Sequence, residues 1–174
     1  MCNVLYHAAV GSLMYVALRT CPDIAHAVQT ISCFTSKPGL EHWEAIKQIF
    51  WYLKGMRELW LAYDGNEKDL LGYADADESM AEDRHAISGY AFILHGSTVS
   101  WSAKCQEIVS LSTTKSKYVT ATNTAKEALW LHSLLLQLFA MDFEPTMLFS
   151  DNQFAIALTK DHHIRKNTPS LDLT

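Results

Sequence analysis

The sequence predicts an α/β layered domain preceded by a small all-helical segment, and three observations support that class. Apolar side chains recur at helical spacing in three stretches of the first 57 residues. From about residue 59 the period changes to that of strands, with turn residues between the runs. The later elements then follow the order strands, helix, strand, helix, which is typical of a layered α/β domain. We therefore expect a helical segment over residues 1–57 and a second domain over residues 58–174.

Size and charge exclude several classes of protein. With 174 residues, 49% of them hydrophobic, the chain can bury a core and is too apolar for disorder. The net charge of -5 excludes a wholly basic surface for nucleic acid, although not a local basic patch. No apolar run reaches the roughly 18 to 20 residues of a membrane span, and no signal peptide is recognisable. The four cysteines form no C-x-x-C pair, so we expect free thiols and an intracellular location, with cytoplasm and nucleus both open.

Three helices are predicted in the first segment. The first covers residues 6–18, and Thr20 is expected to cap the second, as in a capping box with Asp23. The third follows the break at Pro38-Gly39 and has Gly55 as its C-cap. Burial in a hydrophobic core is the simplest interpretation of the apolar stripes on these helices. The stripes contain Ile24, Ala27, Val28, Ile31 and Phe34 in the second helix and Trp43, Ile46, Phe50 and Leu53 in the third. Packing is likewise the expectation for Trp51, Trp60 and Trp130.

The second domain combines strand-like runs with a long helix. The runs cover residues 59–63, 70–75, 90–94, 99–103, 108–111 and 146–149. His95-Gly96-Ser97 predicts a hairpin between two of these runs. One of the residues 112–114 is expected to cap a long helix that reaches Leu138, and a last helix should run from about Asn152 to Lys160.

Three acidic residues lie where elements of this domain begin or end. Asp75 is near the end of a core strand, Asp151 directly follows the run 146–149, and Asp172 is near the chain end. Carboxylates at neighbouring strand ends repel unless a cation holds them, and Mg²⁺ or Mn²⁺ prefers such oxygen ligands. Two such ions about 3.5 to 4 Å apart assist phosphodiester cleavage. The alternative is structural, since aspartate is also common at helix caps and strand ends.

Several strings resemble the ribonuclease H domain at the end of copia-type retrotransposon polyproteins. They occur in the order of that family and cover nearly the whole chain. The strings are YHAAVGSLMYVALRTCPDIAHAV from Tyr6, HWEAIKQIFWYLKG from His42, GYADAD from Gly72, SGYAFILHGSTVSWSAKCQ from Ser88, VSLSTTKSKY from Val109, AKEALWL from Ala125 and SDNQFAIALTK from Ser150.

The resemblance implies a ribonuclease H-like five-stranded mixed sheet flanked by helices, preceded by the end of a reverse transcriptase. In the family, four carboxylates hold two Mg²⁺ or Mn²⁺ ions that cleave the RNA strand of an RNA·DNA hybrid. The first carboxylate falls on Asp75, the third on Asp151 and the fourth on Asp172. The implied partners are the hybrid and the rest of the reverse transcriptase, with no membrane partner.

The second carboxylate is absent. Where the family resembles STTEAEY, this chain reads STTKSKY, so Lys117 stands at the position of the metal-binding glutamate and Lys115 at that of the other glutamate. A charged lysine has no lone pair for a metal ion. At ~5 Å and an effective dielectric of ~20, an ammonium repels a dication by about 7 kcal/mol. Even ~3 kcal/mol would weaken metal binding roughly a hundredfold, so we expect impaired catalysis.

No other carboxylate is a convincing replacement. Asp77 and Glu78 lie beside Asp75, Glu127 is farther along the long helix, and Glu107 precedes a strand. The tail also departs from the family: the basic RTKHID-like string reads NTPSLD here, and the sequence ends two residues after Asp172, which predicts a truncated C-terminal end.

Three functions stay open at this stage: an active nuclease, a non-catalytic relic that binds nucleic acid weakly or has no function, and an interaction module that uses the helical segment. The candidate nucleic-acid contacts are Arg84, Lys104, Lys115 and Lys160, although a solvated surface is the simpler explanation of these charges.

Overall fold

Three α-helices form from the apolar stripes of the first segment. The computed structural model describes residues 3–65, 69–77, 86–107, 112–139, 145–152 and 156. Helix α1 is Asn3–Arg19, α2 is Ala25–Ser32 and α3 is Leu40–Gly55. A short 3₁₀ turn, Pro22–Ile24, precedes α2. The three predicted helices are therefore confirmed.

Two predicted helix signals are wrong. The Thr20 hydroxyl donates back to the Val16 carbonyl at 3.2 Å, so it does not cap the next helix. The Asp23 carboxylate instead accepts from the Ile24 amide at 3.1 Å. Gly55 is the last residue of α3, and the cap is Met56 with a φ of -95°. These errors are local, because side-chain hydrogen bonds at helix ends depend on geometry that spacing alone does not fix.

The helical part has a core of its own. Its buried side chains come from all three helices and the turn between the first two: Tyr6, Val10, Leu13, Ala17, Ile24, Val28, Ile31, Ile46 and Ile49. The Tyr6 hydroxyl, fully buried, donates to the Ile31 carbonyl at 2.7 Å and so joins α1 to the end of α2. Phe50, predicted in this core, is 44% exposed, because Ile49 takes the inward position on α3.

A four-stranded mixed sheet forms the centre of the second part among the described residues. Strand β1 is Leu71–Asp77, β2 is Ile87–Leu94, β3 is Ser97–Cys105 and β4 is Met147–Phe149. The order is β3-β2-β1-β4, with β1 antiparallel to β2 and parallel to β4. Helix α4, Thr113–Phe139, packs on β1 and β2, and its Ala128, Leu131 and Leu135 share a core with the sheet.

Four strands, rather than the five expected, are found among the described residues. Residues 59–63 form no strand, and Leu59 and Trp60 are 68% and 81% exposed. The Tyr63 hydroxyl donates to the Thr98 carbonyl at 2.9 Å, so a side chain rather than a backbone ladder fixes this segment. The run 108–111 and most of the last predicted helix lie outside the described residues.

The predicted hairpin between β2 and β3 is confirmed. Its two turn residues, His95 and Gly96, have φ values of 55° and 79°. Two successive positive φ values are the signature of a type I′ turn, whose twist matches that of the flanking strands. Glycine adopts this conformation at no steric cost, whereas His95 tolerates it less readily.

The chain forms two compact units. One is Met1–Leu61 with Ser102–Lys104, and the other is Ala62–Trp101 with Cys105–Thr174. The origin of the two parts, with a boundary between residues 57 and 58, stays a prediction. Among the described residues, no helix is long and apolar enough to cross a membrane.

The expectation of packed tryptophans is wrong at three positions. Trp51, Trp60 and Trp130 are 71%, 81% and 56% exposed. Trp51 and Trp130 lie on helices beside the inward-facing positions rather than at them. Trp51 has the Lys54 ammonium 5.6 Å from its ring centroid, so this indole is partly covered by a cation.

Candidate functional site

Strand β1 carries Asp75 on the side of the sheet opposite its buried residues. Gly72 and Ala76 of this strand are buried, whereas Tyr73 and Asp75 are exposed, as alternation along a strand requires. The Asp75 side chain is 74% exposed, and its Oδ1 accepts a hydrogen bond from the Ala76 amide at 2.7 Å. The carboxylate is therefore held at the surface and available to a further partner.

The parallel register of β1 and β4 brings Asp151 beside Asp75. Tyr73 pairs with Phe149, and their rings stack with centroids 5.2 Å apart. Each aspartate comes two residues after its aromatic neighbour, so both carboxylates leave the same end of the sheet. The Asp151 side chain is 66% exposed. After it, the Ile156 amide donates to the Asn152 carbonyl at 3.1 Å, which is a helical turn.

Lys117 on α4 reaches both aspartates. Its Nζ donates to Oδ1 and Oδ2 of Asp151, each at 2.5 Å, and lies 3.4 Å from Oδ1 of Asp75. The Lys117 side chain is only 17% exposed, whereas both carboxylates face solvent. The ammonium group thus lies between the two carboxylates on their protein side. We call Asp75, Lys117 and Asp151 the charged triad.

The triad favours a charged lysine. The hydrogen bond to Asp151 raises the pKa of Lys117 above its ordinary value of 10.5, and the charges of Asp75 and Asp151 add to this effect. Partial burial of the ammonium opposes it. The first turn of α4 contains no acidic residue, so Lys117 has its opposite charges on the sheet rather than on its own helix. The lysine therefore keeps its positive charge at neutral pH.

The charged triad contains two carboxylates, and its third member, the charged Lys117, is not a metal ligand. Among the described residues, no group of three or more His, Cys, Asp or Glu side chains could hold a metal ion. Asp172, the third predicted acid, lies outside the described residues, as does Glu78. Glu127 is engaged elsewhere, because it accepts a hydrogen bond from Ser100 at 2.7 Å. The ammonium already neutralises one of the two carboxylate charges, so a dication added here would leave the site with a net positive charge.

A buried polar cluster behind the triad was not predicted from the sequence. The Gln106 side-chain amide, at the end of β3, donates to Ser88 Oγ at 2.8 Å, the Ser116 carbonyl at 2.9 Å and Thr120 Oγ1 at 3.3 Å. Ser88 and Thr120 are themselves hydrogen-bonded at 2.7 Å. A signal for the helix side existed: Ser116, Thr120 and Thr124 are polar residues spaced four apart, which places them on one face of α4.

Comparison with known proteins finds similar sequences in retrotransposons. The retrovirus-related Pol polyprotein of transposon TNT 1-94 from Nicotiana tabacum is 43% identical over 176 aligned positions. That alignment covers 99% of this chain and 13% of the polyprotein. The corresponding polyprotein of transposon RE2 from Arabidopsis thaliana is 34% identical over 96% of this chain and 12% of its own length. The chain thus spans a small part of both polyproteins.

A third relative is short. Secreted RxLR effector protein 161 of Plasmopara viticola is 42% identical over 134 residues, which are 75% of this chain and 94% of the effector. No family model matches the chain. No solved structure matches it either. The chain belongs to the family of sequences found in the Pol polyproteins of copia-type retrotransposons, which also includes this effector protein.

Proposed function

We propose that the chain is a ribonuclease H-like domain of a copia-type retrotransposon polyprotein, joined to the end of a reverse transcriptase, in which hydrolysis is impaired. The observation that carries this proposal is the position of Lys117 Nζ, 2.5 Å from both Asp151 oxygens and 3.4 Å from Asp75. The family similarity supports the origin, and the charged triad supports the loss of activity.

The charge of Lys117 explains why the metal-dependent reaction is impaired. Cleavage in the family depends on divalent ions that sit among carboxylates, as the sequence resemblance implies. Here an ammonium is already hydrogen-bonded to Asp151 and ion-paired with Asp75, and its raised pKa keeps it protonated. A dication would have to displace that ammonium or lie a few Å from it, where they repel by several kcal/mol at an effective dielectric of ~20. The described residues of the charged triad therefore do not fit two divalent ions, and we assign no hydrolytic step to them.

A weak contact with an RNA·DNA hybrid remains part of the proposal. Lys104 and Lys115 are exposed, whereas the other two candidate contacts, Arg84 and Lys160, lie outside the described residues. Because such contacts act through phosphate charge, binding of a hybrid should weaken steeply as the salt concentration rises.

A cleavage assay tests the proposal directly. Purified protein is incubated with a labelled RNA·DNA hybrid and Mg²⁺ or Mn²⁺, beside the Asp75→Asn variant as the matched control. We expect no RNA cleavage above the level of that control. Cleavage by the unaltered protein that disappears in Asp75→Asn would contradict the loss of activity, because only a working site depends on that carboxylate.

A further inference from the structure

The buried cluster around Gln106 has a consistent set of donors and acceptors. One amide hydrogen of Gln106 goes to Ser88 Oγ and the other to the Ser116 carbonyl. The Ser88 hydroxyl then donates to Thr120 Oγ1, and the Thr120 hydroxyl donates to the Ser116 carbonyl at 3.0 Å. Gln106 is 6% exposed, and Ser116 and Thr120 are 0% and 1% exposed. An amide that lost these acceptors would be buried without hydrogen-bond partners, which is unfavourable.

We infer that Gln106 is a positioning residue of the charged triad: it holds the first two turns of α4 in the register at which Lys117 reaches both aspartates. Ser116, which accepts from Gln106, directly precedes Lys117, and Thr120 lies one turn later on the same face. The side chain of Gln106 thus contacts the helix on both sides of the lysine.

Gln106 is itself anchored to the sheet. Its backbone amide donates to the Ala86 carbonyl at 2.7 Å, directly before β2 begins. A purely apolar contact would allow α4 to slide or rotate slightly against the sheet, because such contacts have no direction. The two hydrogen bonds from this anchored amide, one to Ser88 on β2 and one to the Ser116 carbonyl on α4, fix the start of the helix against the sheet. The inference extends the proposed function and rests on it only for the identity of the site.

The inference is tested by the NMR signal of the Lys117 ammonium group. In the unaltered protein we expect a slowly exchanging NH₃⁺ signal with a through-hydrogen-bond coupling to the Asp151 carboxylate carbon. Gln106→Leu should abolish both the signal and the coupling. Thr124→Val is the matched control: Thr124 is fully buried one turn farther along α4 and donates only to its own helix, at 2.9 Å to the Thr120 carbonyl. This control should leave the ammonium signal unchanged.

A second variant covers the case in which Gln106→Leu does not fold. Thr120→Val keeps the shape of the side chain and removes the hydroxyl that accepts from Ser88 and donates to the Ser116 carbonyl, so it should weaken the coupling. An unchanged signal in a folded Gln106→Leu or Thr120→Val protein would overturn the inference and leave Gln106 a structural residue only. Neither readout requires hydrolysis, so a cleavage assay that contradicted the proposed function would leave this test intact.

Discussion

Lys117 places an ammonium group between Asp75 and Asp151, at the position where the family resemblance implies a metal-binding glutamate. A lysine has hydrogen-bond donors and no acceptor, so its ammonium pairs with the carboxylates to which a dication would otherwise bind. The pair with Asp151 is short and two-pronged, yet both carboxylates are exposed, so its contribution to stability is modest, about 0.2–1 kcal/mol for such pairs. The consequence of this lysine is therefore chemical rather than energetic.

Lys117→Glu should restore affinity for divalent ions. The change removes the ammonium and adds a third carboxylate beside Asp75 and Asp151. We expect Mn²⁺ to bind about a hundredfold more tightly, which corresponds to ~3 kcal/mol of relieved repulsion. Titration calorimetry measures the affinity without any nucleic acid present.

Lys115→Glu is the matched control for that experiment. It makes the same charge change two residues earlier on α4, at an exposed position for which the structure gives no contact with either aspartate. Its effect on Mn²⁺ affinity should be within a few fold. Equal gains in the two variants would show that net charge, rather than the charged triad, governs binding.

The contribution of Lys117 to the free energy of unfolding should be lost at alkaline pH. Since its pKa is raised in the folded protein, the contribution is fully present below the unfolded value of about 10.4 and is lost as the pH rises through the higher folded value. We therefore expect the stability difference between the unaltered protein and Lys117→Met to shrink above about pH 10.5. Urea unfolding of both proteins between pH 8 and 11.5 measures it. A constant difference across this range would rule out the ion pair as its source.

At the scale of elements, two glycines differ in the space available for an added Cβ, because neighbouring strands of the sheet approach closely at one of them. A Cβ added at Gly72 would lie 2.6 Å from Cε1 of Phe92 and would also clash with Leu148, whereas one added at Gly11 would meet nothing within 4 Å. Gly72→Ala should destabilise by about 1–3 kcal/mol, because the core cannot expand without strain.

The matched substitution Gly11→Ala, on α1, should stabilise by about 0.5–1 kcal/mol through helix propensity. Denaturant unfolding of both variants provides the comparison. A neutral Gly72→Ala would mean that Phe92 and Leu148 can move apart more easily than their packing implies.

Local signals predicted the elements well, and non-local geometry explains the errors. The type I′ turn at His95-Gly96 and the helix α4 follow from residues next to one another, so the sequence contains them. The run 59–63 has strand-like residues, but a strand also needs a partner strand in the correct register. Such pairing depends on residues that are distant in the sequence. The closeness of Asp75 and Asp151 is of the same kind: it comes from the register of β1 with β4. The apolar runs predicted that both residues lie at strand ends, and only the family resemblance implied that they share one site.

On the scale of the whole molecule, the described residues form two hydrophobic cores, one in each compact unit. Ile46 is fully buried in the helical core, and Leu148 is 2% exposed in the core of the sheet. Because each core is contained in its own unit, damage to one should appear first in that unit.

Ile46→Ala should therefore destabilise the helical unit by about 2–5 kcal/mol, the usual cost of such a cavity. Amide hydrogen exchange should show faster exchange in α1, α2 and α3, with smaller changes in β1 and β2. Leu148→Ala should show the reverse pattern. Equal acceleration in both units after either change would mean that the chain unfolds as one cooperative body.

The attachment of Lys117 to the backbone has a consequence for handling the protein. A bound metal ion can be removed by EDTA or by dialysis, and the strand ends it joined would then repel each other. The ammonium of Lys117 belongs to the polypeptide, so chelators and metal-free buffers should leave the two aspartates bridged and the melting temperature unchanged.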